Sequence, residues 1–506
     1  MGSPGPPVRE SGSSIFYLHS EPSIDQPSPH PDMMTDPILS AFDRLVADNR
    51  EKVLVSSQER YATVGDIDSL ADEVSELVSS KGFPESGIVA LAAANGPGFF
   101  AGYLGLRRAG YKVLLLDWPV PQAAVGSTLD ALGACGALIA ANPWPSADVD
   151  FGVRLSANPR ETPDPPSEVS TIRLTSGSTG RPRGIMHTSD ALLNDDRSLR
   201  KTMSLEDERV LAAIPLSHAY GFASIFLPSI TCGWTLVVPR SGGPFSASEA
   251  ALDGQVTFLP TVPAFISSLL KLSSPPELPD TVRLVISAGA PLKPETARRF
   301  RRQYGRDIHV FYGASEVGGI TFDREGSAGR RGTLGMPVDG VRIELKQSGF
   351  DEGGSGTVVV RSSSAAVGYF PDPHESLRNG RFSTSDVGRF DRGELVLVGR
   401  VDGVINVRGK KVWPREVESV LEAIPGVEEA IVIKTSARDG SGDEVQALVA
   451  SGGSVLKEAE LMQICRSQLE SHKVPRRVRV VDSVPRNSRG KVDLVSIRSI
   501  LAEEIG

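Results

Sequence analysis

Cysteine is scarce in this chain, with three in 506 residues: Cys135, Cys232 and Cys465. They are far apart and odd in number, which excludes a disulfide framework and argues against a thiolate metal cluster. Each is expected to be a buried thiol. Net positive charge is lacking as well. The formal charge is -8, from 54 Lys and Arg against 62 Asp and Glu, whereas a nucleic-acid binder needs a cationic face to meet a phosphate backbone. Long apolar runs are missing too. The nearest to one, residues 87–106, is broken at Asn95-Gly96-Pro97-Gly98 and does not read as a membrane span. No basic stretch followed by an apolar core stands at the N-terminus, so neither a secretory signal nor an obvious targeting peptide is expected.

Apolar residues at 40% and charged residues at 23% give the profile of a globular protein. The length implies two or more folding units, and a cytosolic home fits the composition. Residues 1–35, rich in Ser, Pro and Gly, are expected to form a disordered leader. Arg298, Arg299, Arg301 and Arg302 have helical spacing and read as a solvated helix face. Arg476, Arg477 and Arg479 read as a strand edge, with a phosphorylated thiol donor as the alternative they could meet.

Strands and helices alternate early in the chain. Residues 88–92 read as a buried strand, Pro97 suits the first turn of a helix running to Arg108 with Gly110 as its stop, and 113–116 is the next buried strand. Residues 128–132 and 137–140 repeat the pattern, which argues for parallel α/β layers. A second such region, from Val210 to about Phe311, has strands expected at 210–214, 235–238 and 282–286. Between Gly332 and Val398 short strands are separated by Gly and Asp. Beyond Gly399 comes a compact unit with a helix at 414–423 and a strand at 429–433. The expected fold class is α/β: a large N-terminal domain of layered α/β sheets over 36–400, with a small β-rich subdomain at about 332–398, and a small C-terminal α+β domain over 401–506.

Between the strand-like 171–174 and a helix-like segment after His187 lies the loop Leu174-Thr175-Ser176-Gly177-Ser178-Thr179-Gly180-Arg181-Pro182-Arg183-Gly184. Small residues let backbone N–H groups and hydroxyls converge on phosphate oxygens, and a nearby cation neutralises charge. The loop matches neither G-x-x-x-x-G-K-[ST] nor G-x-G-x-x-G. It is followed, in order, by Pro215-Leu216-Ser217-His218-Ala219-Tyr220-Gly221, Ser287-Ala288-Gly289-Ala290-Pro291-Leu292, Phe311-Tyr312-Gly313-Ala314-Ser315-Glu316 and Ser383-Thr384-Ser385-Asp386. Then come Gly399-Arg400-Val401-Asp402-Gly403, Arg408-Gly409, Pro414-Arg415-Glu416-Val417-Glu418 and Pro485-Arg486-Asn487-Ser488-Arg489-Gly490-Lys491. With these motifs the chain resembles the adenylate-forming superfamily of acyl- and aryl-CoA synthetases, nonribosomal-peptide adenylation domains and firefly luciferase. Its look is nearest to an acyl- or aryl-CoA synthetase.

The resemblance implies ATP-dependent activation of a carboxylic acid to an acyl-AMP with release of pyrophosphate, then transfer to a thiol. That thiol is CoA or the phosphopantetheine of a carrier protein acting in trans. Two anions meet in the first step, so cations must stand at the junction. By resemblance, Thr175, Ser176, Gly177, Ser178, Thr179, Gly180 and Arg183 form the phosphate loop, and Lys491 is the mobile cation between carboxylate and phosphate. Glu316, after Tyr312, Gly313, Ala314 and Ser315 of the nucleotide motif, helps hold Mg2+, a hard cation suited to oxygen ligands. Asp386 and Arg400 meet the ribose, where a carboxylate can accept two donors. Gly289 and Ala290 form the adenine turn. Asp402 is the hinge of a mobile C-terminal domain, Gly409 lines the pantetheine passage, and His218 is the gate beside the substrate carboxylate. His187 is expected to be structural.

Three residues depart from the usual pattern. Arg183 stands where Lys is common, exchanging a compact charge for a planar fork; Ser315 replaces Thr, and Ser385 replaces Gly. They sustain a second hypothesis, a degenerate member that binds nucleotide or acyl ligand without turnover. No acidic residue follows His218 as far as Val238, which disfavours an amino-acid substrate and favours an aromatic or aliphatic acid. The runs 222–227 and 258–263 could wall an acyl pocket and are expected to be core. Asp68-Ser69-Leu70 superficially resembles a carrier's modified serine but falls in a helix-like stretch.

Overall fold

The computed structural model describes residues 36–140, 142–144, 151–156, 162, 164–175, 182–241, 243–347, 354–407, 410–436, 443–486 and 492–502. Two large sheets dominate. One has seven strands, in the spatial order Gly368–Phe370, Arg183–Thr188, Val169–Thr175, Lys112–Leu116, Ile88–Ala93, Gly136–Ala140 and Phe151–Leu155. Its central strands are parallel, joined by the helices Pro97–Arg108 and Gln122–Ala131. The other has nine strands, among them Arg209–Leu211, Thr235–Val237, Phe258–Thr261, Leu284–Ser287 and His309–Ala314.

Alternation along the strands assigns each side chain to a layer. Val89, Leu91, Val113 and Leu115 enter one apolar cluster, while Ile88, Ala90, Leu114 and Leu116 enter another on the opposite face. Strands buried on both faces need unbroken apolar runs, which is why these segments carry no polar alternation. The first cluster also takes Val210, Leu236, Phe258 and Ile286 from the nine-stranded sheet, so the two sheets share one core. The helix Ser189–Met203 contributes to it, with Leu192, Asp195, Asp196 and Leu199 all buried. Val237, Leu259 and Val285 point the other way, into a separate cluster under the helices Pro244–Asp253, Pro263–Lys271 and Pro294–Tyr304.

A five-stranded antiparallel sheet follows, built from strands between Arg342 and Arg400. The last sheet has three strands, Glu429–Ser436, Asp443–Ala450 and Arg477–Val481, covered by the helices Pro414–Glu422 and Glu458–Gln468 and filled by its own cluster. The structure is thus of the expected mixed α/β class, with large layered sheets preceding a smaller C-terminal unit.

Several local expectations are revised. The segment expected to be a strand at 210–214 pairs only over Arg209–Leu211, since Ala213 leaves the ladder ahead of Pro215, which has no N–H to donate. Leu174, Thr175, Arg183 and Gly184 are strand residues rather than loop, paired as Leu174 with Gly184 and Thr175 with Arg183. His187 accordingly lies within a hairpin strand that runs to Thr188 and not in a loop, and the helix begins at Ser189, capped by the Thr188 hydroxyl. Only Cys465 is fully buried; Cys135 and Cys232 are half-buried. Among the described residues no helix is long and apolar enough to cross a membrane.

Candidate active site

Five of the residues that resemblance singles out converge at one edge of the large sheets. Tyr312 lies on the strand His309–Ala314, and its phenol donates to Asp386 Oδ2 at 2.6 Å. Asp386 sits in the long strand Arg381–Asp391, held by its own N–H donating to the Thr384 hydroxyl at 3.0 Å. Across the ladder its register partner is Arg400, whose Nη1 lies 3.4 Å from Asp386 Oδ1. One carboxylate thus bridges a phenol and an exposed guanidinium. Burial, then the Asp386 charge, holds the Tyr312 phenol well above its usual range, so it remains a donor.

Glu316 follows in the tight turn after Ala314, where the Val317 N–H donates to the Ala314 carbonyl at 3.1 Å. Its Oε1 accepts the Tyr369 hydroxyl at 3.0 Å, and its carbonyl accepts the Ala366 N–H at 2.9 Å. Burial pushes the Glu316 carboxyl above the usual carboxylate range, and Arg400 draws it partly back. The Tyr369 ring in turn receives the Arg183 guanidinium on its face, 5.3 Å from the centroid. Arg183 and Glu316 are therefore engaged by the two ends of one tyrosine.

The gate segment is fixed from below. Asn95, at the break after the strand Ile88–Ala93, donates to the Ile214 carbonyl at 2.9 Å and accepts the Leu216 N–H at 2.8 Å. Gly221 approaches so closely that a Cβ there would stand 2.1 Å from the Pro215 carbonyl oxygen. His218 caps its own short helix, its Nδ1 accepting the Tyr220 N–H at 3.5 Å. Gly289 takes φ +80° in an exposed turn with Ala290, a backbone conformation that favours glycine. Asp402 lies in the short helical turn Val401–Gly403 that leaves the five-stranded sheet. Ser176, Gly177, Ser178, Thr179, Gly180, Gly409 and Lys491 lie outside the described residues.

Two family models cover most of the chain: AMP-binding enzyme over residues 42–370, and AMP-binding enzyme C-terminal domain over 416–491. The chain belongs to the AMP-binding enzyme family. Among the relatives of this AMP-binding enzyme is the probable CoA ligase CCL9 of Humulus lupulus, 30% identical over 382 residues, covering 72% of this chain and 71% of that one. The 2-succinylbenzoate–CoA ligase of Geobacillus kaustophilus is 29% identical over 462 residues, covering 87% and 94%. In fold, the AMP-binding enzyme matches the ATP-bound MatB structure from Rhodopseudomonas palustris with a TM-score of 0.79 at 24% identity, covering 91% of this chain and 98% of that one.

Sequence reasoning missed Tyr369, Asn95 and Thr384. Tyr369 stands in Gly368-Tyr369-Phe370, which carries only a strand signal. Asn95 reads as part of a chain break, and nothing local shows that its amide clamps a segment more than a hundred residues away.

Proposed function

We propose that this chain activates an aromatic or aliphatic carboxylic acid with ATP, forming an acyl-AMP and pyrophosphate, and then passes the acyl group to the thiol of CoA. The observation that carries the reading is the set at one edge: Asp386 with Tyr312 and Arg400, beside Glu316 and one tyrosine from Arg183. It supplies a carboxylate for ribose hydroxyls, a carboxylate suited to a hard cation, and a cation at the stem of the phosphate loop. The CoA-ligase names of the relatives support CoA as acceptor.

In the first step an oxygen of the acid attacks the α-phosphorus, and the bond to the pyrophosphate oxygen breaks. Arg183 and Lys491 offset the charge of two anions brought together, an effect strengthened where water is excluded. Mg2+, when bound, supplies Lewis-acid charge on the phosphate oxygens. Glu316 fits such an ion: burial disfavours its charged form, and a bound hard cation would offset that cost. In the second step the thiol sulfur, its proton lost to solvent, attacks the acyl carbon, and AMP leaves with the electrons of the broken C–O bond. A core over 36–400 and a C-terminal domain over 401–506, turning at Asp402, would present Lys491 and then the Gly409 passage in succession. A cytosolic setting belongs to the same proposal.

ATP–pyrophosphate exchange across a panel of aromatic and aliphatic acids, followed by mass spectrometry with CoA added, tests it. Exchange with an acid and a CoA thioester of that acid is the expected result. Absence of exchange on every acid would leave the binding-only member standing, and thioester formed only on a carrier protein would move the acceptor.

A further inference from the structure

The strand Val169–Thr175 that feeds the phosphate loop places Ile172 in the cluster on its outer face. Its neighbours in the alternation, Thr171 and Arg173, therefore enter the core shared by the two sheets, opposite apolar Val113 and Leu115 in register. Thr171 is bonded there to the Tyr103 hydroxyl at 2.8 Å. Arg173 is 4% exposed, its guanidinium 5.0 Å over the Phe222 ring, and its Nε and Nη2 have no hydrogen-bond partner among the described residues. A guanidinium buried this way needs an anion nearby.

Asp195, also 4% exposed, lies in the same core on the helix Ser189–Met203, where its charge favours the charged form of Arg173 without a direct ion pair between the two. Its Oδ1 accepts the Gly319 N–H at 3.0 Å. Gly318 beside it has φ +73°, and a Cβ there would stand 2.3 Å from the same oxygen. Gly318 and Gly319 come two and three residues after Glu316, at the exit of its turn. One buried carboxylate therefore holds the backbone at the exit of the Glu316 turn by a hydrogen bond, from a helix that continues directly from the phosphate-loop hairpin strand Arg183–Thr188. Two apolar residues of similar volume would pack as well or better but would not fix a register.

We propose that Asp195, backed by Arg173, is a positioning residue that sets the spacing between the phosphate-loop hairpin and the Tyr312–Glu316 turn, and so the fit of MgATP. This rests on reading Glu316 as the carboxylate at the phosphates. Two variants separate it from a purely structural buried carboxylate. Asp195→Leu removes both the acceptor and the charge at similar volume; Asp195→Asn keeps an acceptor for Gly319. The readouts are ATP–pyrophosphate exchange and thioester formation from supplied acyl-AMP, which needs no triphosphate. For Asp195→Leu, kcat/KM for MgATP in exchange should fall at least tenfold with the KM for the acid unchanged and thioester formation within twofold of wild type. Asp195→Asn should recover exchange to within threefold, with a raised KM for MgATP. Exchange by Asp195→Leu within twofold of wild type, or parallel loss of both half-reactions, overturns the proposal. Should Asp195→Leu not fold, an unchanged KM for MgATP in Asp195→Asn overturns it and a raised one supports it. Wild-type protein that exchanges with no acid would instead refute the functional reading beneath it.

Discussion

At the scale of single residues, Asp386 has the clearest expected effect. A charge-assisted hydrogen bond contributes about 1.5–3 kcal/mol, so Asp386→Ala should raise the KM for ATP by roughly ten- to a hundredfold. The KM for the acid should stay put; steady-state kinetics with each substrate varied would show whether it does. Asp195 gives a pH dependence. Burial first of all pushes its carboxyl up to about 6 from an ordinary 3.8, with the Gly319 N–H and Arg173 opposing and Asp196 adding to the rise. The folded chain therefore binds this proton more tightly than the unfolded one. The stability it contributes is fully present below about pH 4 and is withdrawn as the pH rises through 6. Asparagine does not titrate, so the stability of Asp195→Asn relative to wild type should grow across that window, by on the order of 3 kcal/mol. Urea melts at pH 4 and pH 7 measure this directly, and a difference equal at both would contradict it.

At the scale of elements, the segment from Pro215 to Gly221 is held by space rather than by sequence propensity. Gly221 has an ordinary helical φ of -64°, so alanine there is opposed only by the 2.1 Å approach to the Pro215 oxygen. Gly221→Ala should cost about 2–4 kcal/mol by displacing that backbone, visible as a lowered Tm together with a raised KM for the acid. The regular elements were largely legible in the sequence. Ile88 to Ala93 and Val113 to Leu116 are apolar throughout because both faces are covered, and Pro97 and Gly110 bracket their helix as their backbone chemistry demands. The polar interior was not legible. Asn194-Asp195-Asp196-Arg197 has the look of a solvated helix face, yet both aspartates are buried, Asp195 against Gly319 and Asp196 against Arg200 and Thr231. Their partners come from segments up to 124 residues away, and no local periodicity can register a partner at that distance.

At the scale of the whole molecule, the C-terminal unit rests on the core through charge. Lys293 Nζ lies 2.9 Å from Glu422 Oε1, and Lys271 pairs with Glu428. Glu422 also receives Arg415 at 3.0 Å. Ion pairs with exposed members contribute about 0.2–1 kcal/mol each, enough to bias the two positions proposed for the small domain without locking either. Glu422→Gln should therefore move the two half-reactions in opposite directions, each by up to roughly fivefold, and added salt should shrink the effect. Single-turnover measurements of acyl-AMP formation and of thiolysis would reveal it, and changes of the same sign in both would count against it. Lys293 stands four residues after Gly289, in the stretch that leaves the turn proposed for adenine. Any free energy by which bound nucleotide alters the Lys293 to Glu422 pairing must be returned in equal measure, since thermodynamic coupling is reciprocal. The posture of the C-terminal unit would then set the affinity for AMP, making release of the spent nucleotide a consequence of where that unit stands.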